Sequence, residues 1–184
     1  MILYLGPVLL ALIAVTQSAV FSRLQAFGGA PDVMLVALVC WTLQLGSAAT
    51  PQLRWAGGDL ERPEFPAALA WAFLGGLMLD LLSGGPFGAS IAGLVLVVYL
   101  AGFTEGRLWG TPSLLPLGLV LIGTPLLHLT RLAFLFIFGR SLPDVTFALT
   151  YVTLPATFLN LLLTLPMYNL TKWLRDWISP PVVE

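Results

Sequence analysis

The chain has 184 residues, of which 58% are hydrophobic and only 9% charged. Its mean hydropathy is +0.94, which excludes an ordinary soluble domain and marks an integral membrane protein. A formal net charge of -1 leaves no basic surface for nucleic acid, and a single cysteine, Cys40, with a single histidine, His128, allows neither an intrachain disulfide nor a Cys/His metal cluster.

Six apolar windows approach the roughly 20 residues that a helix needs to cross a bilayer: 2–21, 31–49, 67–83, 87–104, 113–138 and 148–170. The expected fold is therefore all-α, a single polytopic domain of six transmembrane helices. The first window lacks the basic flank of a secretory signal and reads as a retained helix. The third and fourth are joined by Gly84-Gly85-Pro86, a tight reversal. The fifth contains Pro116 and Gly123-Thr124-Pro125, so a kinked or split helix is expected. Between the second and third lies a charged loop, 50–66, which reads as a solvated linker or a cytoplasmic contact site. After the sixth, 171–178 carries Trp173 and Trp177 one turn apart and reads as a short interfacial helix on the membrane surface, with both indoles as anchors.

Short cytoplasmic loops carry the excess of Lys and Arg. With both termini inside, the cytoplasmic segments hold Arg54, Arg62, Arg107, Lys172 and Arg175, against Arg23 and Arg140 outside. Trp55, Trp71 and Trp109 fall near the same interface as Trp173 and Trp177, as an amphipathic ring prefers. The expected location is thus a cell membrane crossed several times, with cytoplasmic termini.

An ionisable side chain within a membrane costs roughly 2.5–3.5 kcal/mol at mid-depth, so each requires a reason. Asp32 opens the second helix, Asp80 lies one turn from the end of the third, and His128 and Arg131 share a face of the fifth. In the N-in topology all four belong to the outer half, where an Asp80/Arg131 pair is the simplest neutralisation. They could fasten helices, form a polar site or meet a partner's helix. Gln17, Gln44 and Asn160 are the main further polar side chains in the helices. Ala72 with Gly76, Gly88 with Ala92 and Ala89 with Gly93 are small residues at four-residue spacing, which allows close backbone approach.

A Gly88-Ala89-Ser90 element is similar to the G-x-S of rhomboid proteases, but Ile91 stands where a small residue belongs and His128 is on the fifth helix rather than the last. No phosphate loop or catalytic carboxylate pair is present, and a non-enzymatic chain without a cofactor is expected.

The pattern as a whole resembles the MreD family of the bacterial rod-shape machinery. The resemblance rests on Pro31-Asp32, on Gly75-Gly76 followed by Asp80, on Leu81 through Gly88 including Gly84, Gly85, Pro86 and Gly88, and on Tyr99-Leu100-Ala101-Gly102. It is concentrated in residues 75–102, while the first helix and the last two match in length and hydropathy only. The resemblance implies a scaffold in the inner membrane that binds MreC. It further implies work with RodA, a class B penicillin-binding transpeptidase and MreB in lateral peptidoglycan synthesis. It also implies a six-helix fold similar to the substrate-binding subunits of energy-coupling-factor (ECF) transporters. A vitamin-binding subunit of such a transporter is the alternative, with Asp80, His128 and Arg131 in an outward site.

Overall fold

The computed structural model describes residues 2–21, 28–48, 65–104 and 114–178. Most of the charged loop, with Trp55, Trp109, Arg23, Arg54, Arg62 and Arg107, lies outside them. The described residues form helices and turns without a strand: α1 (Ile2–Thr16), α2 (Val33–Ala48), α3 (Phe65–Ser83), α4 (Ala89–Thr104), α5 (Leu114–Ile137), the single turn α6 (Val145–Phe147) and α7 (Leu154–Ile178). Two wider π turns flank them, Gln17–Phe21 at the end of α1 and Ala148–Thr153 between α6 and α7. The second arises just before Pro155, which has no N–H to close the preceding α turn; Leu154 N donates instead to Leu149 O, five residues back.

α2 is the centre of the molecule. Its apolar residues lie on every side, so it has no polar stripe to turn outward. It packs against α1, α3, α4, α5 and α7, and Met34 through Cys40 are all buried. α3 and α4 make the broadest pairing, an antiparallel hairpin. The two backbones meet closely at Gly76, where a Cβ would stand 2.5 Å from Ile91 Cα and 2.8 Å from Ile91 N. Gly84 (φ +62°) ends α3 in the left-handed region and Gly88 (φ +94°) opens α4, conformations that a side chain would strain.

Two expectations are narrowed or corrected. Of the kinked or split alternatives for α5, the split is excluded, because α5 is one continuous helix. Pro116 falls in the first turn, where no N–H is required, and Pro125 removes one internal bond only. Residues 171–178 are not a separate helix either, but the last two turns of α7. Between Met167 and Ile178 there is no glycine or proline to stop the helix, and Pro166 is accommodated inside it.

The outside of the bundle is apolar. Leu114–Ile137 and Val145–Trp177 are long and apolar enough to cross a membrane, yet only 22% and 33% of their most apolar windows is buried. Phe158 (68% exposed), Leu162 (67%), Ile122 (64%) and Leu129 (60%) face outward. Water would penalise such a surface and a lipid phase would not. The molecule has the helical character of a membrane protein.

Candidate functional site

The two buried carboxylates and the side chains that meet them gather at one end of the bundle, where α1 and α3 finish and α2 and α4 begin. There are two adjoining clusters, each organised around a buried carboxylate.

Asp80 is the cap of α4. The first N–H groups of a helix have no partner within it, and at α4 they are supplied across the turn. Asp80 Oδ2 accepts from Gly88 N (2.8 Å) and Ile91 N (3.3 Å), and Oδ1 accepts from Ser90 N (3.0 Å). Ala89 N donates to Pro86 O and Ala92 N to Gly88 O, which completes the set. Gly76 makes this possible. One turn before Asp80 it lets the Ile91 backbone lie against α3, and so brings those amides within reach of the carboxylate.

Asp32 ties four segments together. Oδ1 accepts from Gln17 Nε2 (3.2 Å) and Arg131 Nη2 (3.2 Å), and Oδ2 accepts from His128 Nε2 (3.1 Å). Its own backbone N–H donates to Asn160 Oδ1 (2.7 Å). With its side chain turned to these donors, Asp32 does not cap its own helix; Gln17 Oε1 does so by accepting from Met34 N (2.8 Å). Asn160, fully buried, completes the junction of α2, α5 and α7 by donating from Nδ2 to Thr124 Oγ1 (3.0 Å). His128 Nδ1 meets Thr153 Oγ1 at 2.9 Å. Since Nε2 faces an acceptor-only carboxylate, it is the donor there, which leaves Nδ1 to accept from the Thr153 hydroxyl, whose other acceptor is Ala148 O (3.1 Å).

Arg131 therefore pairs with Asp32, and the expected Asp80/Arg131 pair does not form. The reason is positional. Asp80 is drawn to the amides of the helix that follows it, while Asp32 starts the central helix and lies where the polar face of α5 passes. Asp32 and Asp80, each at most 6% exposed, nonetheless border the same cavity of about 430 Å³ with His128 and Arg131. Gly85 and Pro86 form its rim, and Leu79, Leu82 and Val152 supply apolar wall. Gly84 and Gly88 shape the turn. Trp173 and Trp177, both mostly exposed on the last turns of α7, do not line it.

Gln17, Asn160 and Thr153 complete the cluster. The first two are visible in the sequence as polar side chains in apolar helices. Thr153 carries no such signal, because a threonine in a membrane helix ordinarily satisfies itself on a carbonyl of the preceding turn, as Thr42, Thr157 and Thr164 do here.

Compared with family models, with curated proteins and with solved structures, the chain finds no match.

Proposed function

We propose that this protein is a non-enzymatic, six-span scaffold of the MreD type in the bacterial inner membrane, with both termini in the cytoplasm. It binds MreC and supports lateral wall synthesis by RodA and its class B penicillin-binding transpeptidase, in register with MreB. The observation that carries this reading is the hairpin of α3 and α4. The residues on which the family resemblance rests, Gly76, Asp80 and the turn from Ser83 to Gly88, act together as one device, with both Asp80 oxygens engaged by backbone amides. An acid used in this way organises helices and performs no chemistry, which suits a scaffold. The exposed apolar faces of α5 and α7 suit immersion among lipids and partner helices.

A second reading is supported by the cavity itself. Small-molecule sites are typically apolar hollows with a few convergent polar groups, and the space bordered by Asp32, His128 and Arg131 fits that description. It corresponds to a substrate-binding subunit of an ECF-type vitamin transporter. Purification of the tagged chain from its native membrane in mild detergent, followed by mass spectrometry of proteins and small molecules, separates the two. A stoichiometric bitopic coiled-coil partner is the expected result. An ATPase module with a bound vitamin would overturn the scaffold reading in favour of the second.

A further inference from the structure

The cavity between Asp32 and Asp80 holds hydrogen-bonding capacity that the protein does not use, and it is chiefly donor capacity. Each carboxylate already accepts three hydrogen bonds. Arg131 is different. A guanidinium carries five N–H groups in a planar fork, and among the described residues only Nη2 is engaged, by Asp32. Its side chain is one third exposed and borders the cavity. Ser90 lines the same cavity.

We propose that this cavity binds a single oxyanionic group, a carboxylate or a phosphate, carried on an apolar body, with Arg131 as its charge partner. The surrounding charges permit it. The Asp32 carboxylate already accepts from Gln17, His128 and Arg131, Asp80 lies at the positive end of the α4 dipole, and each is at most 6% exposed, so an incoming anion shares the Arg131 charge with Asp32 through the donors that Asp32 leaves unused. Leu79, Leu82, Pro86 and Val152 account for the apolar body. Sites for small ligands have volumes of about 300–1,000 Å³. A cavity of about 430 Å³ thus takes a small organic acid, or the headgroup of an anionic lipid whose chains stay outside. The proposal rests on the cavity and is independent of whether the protein is a scaffold.

The test uses the full-length protein and two arms. In nanodiscs of phosphatidylcholine with phosphatidylglycerol, native mass spectrometry compares retention of the two lipids. In phosphatidylcholine nanodiscs, thermal unfolding is followed with hexanoate or inorganic phosphate. Preferential retention of phosphatidylglycerol identifies a lipid headgroup, and stabilisation by hexanoate or phosphate identifies a soluble anion. Two variants locate the site. Leu82→Trp fills the cavity without touching the charge cluster, and Asp32→Asn with Arg131→Gln removes the ion pair as a unit. Either is expected to lower the anion preference about tenfold, the worth of one charge-assisted hydrogen bond. No preference for any anionic probe, or a preference that survives either variant, overturns the proposal. If the double variant does not fold, Leu82→Trp decides alone.

Discussion

The two buried aspartates hold different kinds of partner, and substitutions distinguish them. Asp80 receives three backbone N–H groups, so Asp80→Leu leaves the start of α4 uncapped and is expected to destabilise the protein by about 2–4 kcal/mol. Asp80→Asn keeps one accepting oxygen and should cost roughly half as much. Denaturant titration in detergent micelles measures both, and wild-type stability of the leucine variant would refute the capping role. Asp32 receives side chains instead, and here partners can be removed together. Asp32→Asn alone leaves one accepting oxygen for the donors of Gln17, His128 and Arg131 and removes the charge that Arg131 pairs with; it should cost about 2 kcal/mol, less than for a fully buried pair because Arg131 is one third exposed. Adding Arg131→Gln should recover about 1 kcal/mol of that loss as a coupling in a double-mutant cycle; strict additivity would mean that the pair is not a working contact. The sequence marks all four ionisable residues because charge is rare in apolar helices. It does not say which acid meets which base: Asp80 and Asp32 both stand within a turn of a helix end, and the choice depends on which amides and which neighbouring helix each side chain can reach.

Helix class and turn positions are legible because apolar length and Gly-Pro punctuation are local properties. Gly84-Gly85-Pro86 marks the α3–α4 reversal directly, and the spacing of Ala72 with Gly76 marks a face of close approach. Continuity is less legible. Pro116 and Pro125 look like breaks in α5 and are not: Pro116 sits in the first turn, whose donors are without helical partners in any case, and the one bond lost at Pro125 does not end the helix. The tail at Trp173 and Trp177 looks like a new element because its composition changes, yet composition does not end a helix in the absence of a stop residue. At this scale the sharpest test compares two glycines. Gly76→Ala would drive a Cβ into the Ile91 backbone, 2.5 Å from Cα, whereas a Cβ at Gly118 on α5 meets nothing within 4 Å. The first should destabilise by about 2 kcal/mol, as overpacking against backbone does. The second should be neutral, or stabilising by up to about 1 kcal/mol from helix propensity. Equal effects in the same unfolding assay would show that α3 and α4 are not in backbone contact.

The direction of each helix is fixed by the polar junction, and this leads to a prediction for the whole molecule. Gln17 at the end of α1, Asp32 at the start of α2, Asp80 at the end of α3 and Ser90 at the start of α4 meet at one end. α2 and α7 run the same way, since Asp32 N meets Asn160 and Cys40 Sγ approaches Thr164 O. From Asn160, α7 continues to Trp177, about 25 Å of helix at 1.5 Å per residue, which is nearly the thickness of a hydrocarbon core. If the bundle spans the membrane as proposed, the turn at Gly85 and the end of α7 lie on opposite sides. Cys40 is fully buried, so the unmodified protein gives a low background with a membrane-impermeant maleimide. Gly85→Cys, exposed at the cavity rim, should label on intact cells. Asp176→Cys should label only after the membrane is opened, because the excess of Lys and Arg places that end in the cytoplasm. Reversed labelling would invert the orientation while preserving the span, and equal labelling of both positions on intact cells would mean that α7 does not cross the membrane.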